Sequence, residues 1–183
     1  MNCQRFPLIP FSGLEAPADV ALAATFSSSG QEAQIGFSLT GNIDRICIPA
    51  FSGGCAPQRR DRLWETTCFE CFFGTRGDSG YWEFNLSPSG NWNVYRFADY
   101  RLGMTEETAL AQLPFEVRRV AGRVDISLQI DFSIFGPISD ALQGTFTTVI
   151  EERSGRISYW ARAHTGAEAD FHRRADFIDL TPA

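Results

Sequence analysis

Apolar and polar side chains alternate along most of this chain. Across residues 124–132, Val124, Ile126, Leu128, Ile130 and Phe132 are separated by Asp125, Ser127, Gln129 and Asp131. A period of two puts every apolar side chain on one face of an extended segment, so this stretch predicts a strand with one face on a core and the other toward water. Ile35, Phe37 and Leu39 alternate with Gly36, Ser38 and Thr40 in the same way, and Trp82, Phe84 and Leu86 alternate with Tyr81, Glu83 and Asn85. Residues 20–26, 42–48, 67–73, 92–97, 145–151 and 157–162 complete the expected strands. Turn formers separate them at Ser29-Gly30, Gly53-Gly54, Gly77-Asp78-Ser79-Gly80, Pro88-Ser89-Gly90, Ala121-Gly122 and Ser154-Gly155. The last of these reads as a hairpin connection. Two stretches predict helix: residues 105–111, where Thr105 precedes Glu106 and Glu107, and a single turn over residues 138–142. Short strands at even spacing, with no βαβ alternation, predict an all-β fold. The expected architecture is an antiparallel β-sandwich (immunoglobulin-like or jelly-roll in type) of about eight to ten strands with one or two short helices. No repeat, low-complexity tract or linker interrupts residues 1–183, which are expected to form one domain.

Composition narrows the chemistry. The chain has 183 residues, 44% of them hydrophobic, and carries a formal charge of −6. A chain of this size buries roughly 70% of its unfolded surface, enough for a core without staples. All 16 basic residues are arginine. The absence of lysine excludes Schiff-base chemistry and a Walker-type phosphate lysine. The acidic balance makes nucleic acid an unexpected partner. The first residues lack a basic segment followed by a long apolar run, and no 18-residue apolar span exists, so neither a leader nor a membrane association is expected. Five cysteines (Cys3, Cys47, Cys55, Cys68 and Cys71) are an odd number at irregular spacing, which points to a reducing, cytoplasmic compartment. Cys68 and Cys71 have the C-x-x-C spacing of zinc and redox motifs, but they lie in a run that reads as strand. Residues three apart on a strand face opposite ways, so buried structural thiols are the expectation.

Three segments combine turn residues, aromatics and polar groups: residues 62–73, residues 81–96, and residues 158–164 with Asp170-Phe171-His172. On Leu63-Trp64-Glu65-Thr66-Thr67, Phe69-Glu70, Tyr81-Trp82-Glu83-Phe84-Asn85-Leu86-Ser87-Pro88-Ser89-Gly90 and Asp170-Phe171-His172, the chain resembles the DOMON-like domains related to family 9 carbohydrate-binding modules. The resemblance covers most of the chain in order and implies the same β-sandwich. It also implies a non-catalytic domain that binds a small ligand, a sugar above all, between aromatic walls. Residue by residue, it implies that Trp64 is the first wall, Glu70 an acidic partner and Trp160 the second wall. The chain departs from the family on the Tyr81 strand, where the sugar-binding relatives tend to carry a basic residue and this face offers Glu83 and Asn85.

The residues themselves suit such a ligand. Sugar C–H faces pack on aromatic rings, while carboxylates, amides and guanidinium groups bond the hydroxyls around the edge. Strand parity groups Trp160 with Ser158, Arg162 and His164, a set expected to line a wall rather than a dry core. Arg96 and His172 complete the candidates. Trp82 and Trp92 are expected in the core, and Glu70 equally suits a pairing with an arginine at the core margin. Two other readings stay open. One is a hydrolase using Glu65, Glu70 and Glu83 or His164 and His172, although no nucleophile elbow is present. The other is a haem domain drawing axial ligands from Met104, His164 and His172, without an attachment motif. A structural calcium near Asp78 is a further option, and the main expectation is that no cofactor is needed.

Overall fold

The computed structural model describes residues 3–51, 57–135 and 141–180. Twelve strands follow in order: β1 (Gln4–Pro10), β2 (Val20–Ser29), β3 (Glu32–Gly41), β4 (Cys68–Thr75), β5 (Tyr81–Leu86), β6 (Trp92–Phe97), β7 (Thr105–Glu106), β8 (Phe115–Val120), β9 (Arg123–Asp131), β10 (Leu142–Glu151), β11 (Ile157–Ala161) and β12 (Ile178–Asp179). Every strand pair is antiparallel. The strands run β7-β6-β5-β4-β10-β11-β1-β2-β3-β9-β8, with β12 on the free portion of β10. The fold is an antiparallel β-sandwich, as the alternation predicts, and its two layers come from one sheet folded on itself.

The fold line runs along β1. Its first half, Gln4 to Leu8, pairs with β2, while Ile9 and Pro10 pair with β11 in the other layer. Folding the sheet there brings Phe26, Phe37 and Ile126 of one layer against Phe69, Phe73, Phe84 and Phe146 of the other. Phe37 and Phe69 meet with centroids 5.6 Å apart, and Phe26 and Phe146 at 6.1 Å. Burying a side chain of this size contributes about 1.5–3 kcal/mol, which makes this inter-layer stack the main stabilising element.

β1 and β8 are strands that the alternation leaves unannounced. In β1 only Phe6 and Leu8 keep the inward period, with Pro7 between them and Pro10 at the end. In β8 only Phe115 and Val117 do, before Arg118 and Arg119. Charged residues are common on sheet edges because they discourage pairing with other chains.

Three expected segments differ. Residues 42–48 do not form a strand: Gly41 has a φ of +115°, and a 3-10 turn follows at Ile43–Arg45 before Ile46 bridges to Glu152. Residues 105–111 form no helix. Thr105 pairs with Arg96 on the sheet, and Arg59 takes the Glu107 and Leu110 carbonyls that a helix would use. The Glu107 carboxylate also accepts the Ala109 N–H. Residues 138–140 of the second helical expectation lie outside the described residues, and Leu142 begins β10. Short 3-10 turns are the only helical elements among the described residues, and none is long and apolar enough to cross a membrane.

Cys68 and Cys71 diverge as their spacing requires. Cys71 enters the inter-layer core, whereas Cys68 lies on the opposite face of β4 with its thiol 3.7 Å from Asn85 Oδ1. Cys3, Cys47, Cys68 and Cys71 are all unpaired, and Cys55 lies outside the described residues.

The outer face of β4 and β5 is covered too, by residues 169–177. Arg174 fastens this cover: its guanidinium donates to the Gly80 carbonyl at 3.0 Å and the Thr75 carbonyl at 2.9 Å, and lies 4.8 Å from the Phe177 ring. Gly74 makes room for it, because a Cβ there would collide with Arg174 Nη1 and come within 2.9 Å of Cζ. Gly74→Ala should therefore lower stability by about 1–3 kcal/mol, the usual range for overpacking. In the same variant, amide exchange should rise across residues 170–177 before it rises in β2 and β3. Unchanged protection over residues 170–177 would show that Gly74 and Arg174 do not hold the cover.

Candidate functional site

β4 and β5 each present alternate residues to the core and to the covered outer face. The registers Glu70↔Asn85, Phe72↔Glu83, Glu83↔Tyr95 and Thr147↔Glu70 assemble the outer face from Glu70, Phe72, Tyr81, Glu83, Asn85, Asn93, Tyr95, Phe97 and Thr147. Phe72, Tyr81, Tyr95, Phe97 and Phe177 form a second apolar cluster there, with Trp64 and Phe171 packed against it. Tyr81 stacks on Phe97 at a centroid distance of 4.8 Å.

Three non-strand segments complete the site. A 3-10 turn at Leu63–Glu65 carries Trp64, whose ring meets Tyr95 edge-on at 5.6 Å. The loop after β6 carries Arg101 and Met104. The cover carries Ala169, Asp170, Phe171 and His172. Arg62, which precedes the first turn, and Arg101 are the two described non-glycine residues in the left-handed backbone region, at φ 59° and 54°. Such strain costs about 1–3 kcal/mol per residue and tends to accumulate where function requires it.

Between these elements lies a cavity of about 330 Å³. Trp64, Phe97, Tyr159 and Phe171 give it aromatic surface, while Glu70, Glu83, Arg101 and His172 give it polar groups. Arg101 is fixed by Asp170, with Nη2 donating to Oδ1 at 2.7 Å, and Tyr100 Oη donates to the other carboxylate oxygen at 2.6 Å. Asn85 Nδ2 donates to Glu83 Oε1 at 2.7 Å. Glu70 is 2% exposed; its Oε2 accepts a 3.4 Å bond from Thr147, and its Oε1 has no hydrogen-bond partner among the described residues.

These contacts fix the protonation states. Burial raises Glu83 to about 7, against the opposing effects of its Asn85 bond and the Arg101 charge. Glu70 stands well above the usual carboxylate range, first from burial and then from the negative charge of Glu83. Burial disfavours both carboxylates and the Glu83 charge further opposes ionisation of Glu70, so the pair retains a proton at neutral pH. Burial, followed by the Arg101 charge, lowers His172 to about 4, leaving the ring neutral. The Arg101 N–H donates to Tyr81 Oη at 3.1 Å, and Tyr81 Oη lies 2.8 Å from His172 Nδ1. Burial raises Tyr81 to about 12, so it remains a phenol and donates to Nδ1. The network thereby assigns the proton to Nε2, which lies 3.9 Å from Glu83 Oε2.

Of the expected site residues, Trp64, Glu70, Glu83 and His172 line the cavity, and Asn85 lies behind it against Glu83. Four do not take part. Trp160 is 5% exposed in the inter-layer core, and its indole N–H donates to Ser158 Oγ at 2.9 Å. Within β11 Ser158 and Trp160 share a face, but it is the core face, and Tyr159 faces the cavity; the strand ends at Ala161, so Arg162 and His164 leave the group. Because Ser158 supplies the indole's partner, the core site is dry without being unsatisfied. Arg162 donates to the Asp176 carbonyl at 3.2 Å, beneath the cover. His164 Nε2 lies 3.0 Å from the Ile9 carbonyl, beside Phe11. Arg96 is on the core-side parity of β6 and lies over Trp82 at the sheet margin. Of the haem-ligand candidates, Met104 and His172 line the cavity and His164 does not. Among the described residues, no three His, Cys, Asp or Glu side chains are grouped to hold a metal ion. Phe97 and Tyr159 are cavity residues that the sequence did not single out; Phe171 belongs to the Asp170-Phe171-His172 motif, and Arg101 lines the cavity while paired with Asp170.

No family model matches the chain, and no curated protein matches it. Solved structures do share its fold. A protein from Bacteroides uniformis, inferred to bind carbohydrate, is 15% identical with a TM-score of 0.69, over 96% of this chain and 84% of that one. A family 9 carbohydrate-binding module from Caldicellulosiruptor kristjanssonii, solved with cellotriose, is 10% identical with a TM-score of 0.52, over 97% of this chain and 84% of that one.

The raised acids imply a pH dependence of stability. Folded Glu70 and Glu83 hold protons that the unfolded chain releases, so their contribution is complete below the ordinary carboxylate range and is lost as pH rises through the folded values. His172 has the opposite sign, adding stability above the ordinary imidazole value that is lost as pH falls toward about 4. Above about pH 6.5 only the carboxyl effect remains, so the thermal midpoint should fall between about pH 6.5 and 8. Glu83→Gln should flatten that fall and unfold on the order of 2–4 °C or more above the parent at pH 8. A variant whose midpoint falls as steeply as the parent's would contradict the assignment.

Proposed function

We propose that the cavity binds a small carbohydrate, with the sugar ring packed on the Trp64 indole and its hydroxyls bonded to Glu70, Glu83, Arg101 and His172. The observation that carries this reading is an aromatic-walled cavity floored by two buried carboxyl groups, one with an oxygen lacking a partner. Rings bind sugar C–H faces, and a carboxyl group can accept from or donate to a hydroxyl according to its proton. The fold shared with a carbohydrate-binding module solved with cellotriose supports the same reading. The ordered run from Trp64 to His172 supports the finer reading of the chain as a DOMON-like domain. The unpaired described cysteines are consistent with a cytoplasmic setting.

The function is tested by calorimetry with glucose, galactose, mannose, cellobiose and cellotriose. Trp64→Ala should weaken any interaction roughly tenfold or more, since aromatic stacking is worth about 1–3 kcal/mol per ring by analogy with bases. Trp160→Phe, which alters only the core, should lower stability and leave affinity unchanged. Affinity that ignores Trp64→Ala but responds to Trp160→Phe would remove the sugar from this cavity.

A further inference from the structure

We propose that the cavity selects a ligand bearing a protonated amine, an amino sugar in preference to a neutral one, with the ammonium group against the Glu70 and Glu83 carboxylates beneath Trp64 and Phe171. The sugar portion of this inference rests on the proposed function; the ammonium portion does not.

The argument is one of charge balance. β4 contributes Glu70 to the cavity, and Cys68 lies on the same face. β5 contributes Glu83, with Tyr81 behind it, and β11 contributes Tyr159. The loop after β6 contributes Arg101, and the cover contributes His172 with Asp170 next to it. Arg101 is the one arginine lining the cavity among the described residues, and its charge is matched by Asp170 at 2.7 Å. His172 is neutral, and its Nε2 lies 3.9 Å from Glu83, beyond hydrogen-bonding distance. The two carboxyls are 2% and 5% exposed and make no ion pair with an arginine. A buried acid without a counter-charge stays protonated, because ionising it in a low-dielectric site is costly.

A ligand that supplies a positive charge removes that cost. The carboxyl pair then releases its proton to solvent, and the ammonium group gains a charge-assisted hydrogen bond. Neighbouring Trp64, Phe97, Tyr159 and Phe171 add the ring faces that attract organic cations. The Glu70 Oε1 supplies an acceptor that no donor among the described residues occupies.

Calorimetry at pH 6 would compare glucosamine, glucose, N-acetylglucosamine and cyclohexylamine, each in two buffers of different ionisation enthalpy. Glucosamine should bind at least about tenfold more tightly than glucose or N-acetylglucosamine. Its heat should depend on the buffer in the sense of proton release. Glu83→Gln and, independently, Glu70→Gln should reduce both the preference and the proton release, with folding of each confirmed by circular dichroism. Equal affinity for glucose and glucosamine would overturn the ammonium inference and leave carbohydrate binding intact. Binding of cyclohexylamine with silence from all three sugars would support the ammonium and overturn the carbohydrate reading. A glucosamine preference that survives both substitutions would overturn the role given to the two acids.

Discussion

Arg174 lies flat against Gly74, with its guanidinium on the Thr75 and Gly80 carbonyls and over the Phe177 ring. That contact holds residues 169–177 over the outer face of β4 and β5, whose inner face already packs on the other layer. Most antiparallel sheets leave one face to water. Here both are buried, and the polar residues that would have pointed into solvent point into a cavity instead. Glu70 and Glu83 are buried for this reason, with Asn85 behind Glu83. Without the cover they would be ordinary outward residues with ordinary ionisation.

The cover also orders the site. Asp170 accepts from Arg101, Tyr100 and the His172 backbone N–H, so one carboxylate joins the cover to the loop after β6. Arg101 in turn has a left-handed backbone whose N–H bonds Tyr81 Oη. The strain at Arg101 is offset by these contacts: its side chain neutralises Asp170, and its backbone orients the phenol that sets the His172 tautomer. A more relaxed loop would lose both. The arrangement therefore neutralises its own arginine while leaving two acids without a counter-charge.

A period of two identified β3, β5 and β9, and runs of apolar, aromatic and β-branched residues between turn formers identified β2, β4, β6, β10 and β11. Alternation missed β1 and β8, where prolines and charges interrupt the period at a fold line and an edge, and the two-residue β12, too short to show a period. It also misread residues 105–111, whose local preference for helix yields to Arg59 and the edge of the sheet. The resemblance on Trp64, Glu70, Glu83 and His172 reached residues that share the cavity. Tyr159 had no signal of its own, because a tyrosine between serine and tryptophan looks alike on a surface and in a site; Arg101 reads from sequence as a salt-bridge partner, and it is one, but on the cavity wall.

The exchange of Trp160 and Tyr159 shows where parity reasoning reaches its limit. Alternation tells which residues share a face but not which face is the core, unless one set is clearly polar. On β11 both sets are mixed: Ser158 and Trp160 on one side, Ile157, Tyr159 and Ala161 on the other. The decision comes from β10, where Phe146, Thr148 and Ile150 alternate with Thr147 and Val149. Thr148 pairs with Trp160 and with Phe69 of the core, while Val149 pairs with Tyr159 and with Cys68 of the outer face. Once register ties β11 to β4, the tryptophan must follow Phe69 inward. The Ser158 hydroxyl then satisfies the indole N–H, so the polar neighbour that seemed to mark Trp160 as a wall instead lets it enter the core.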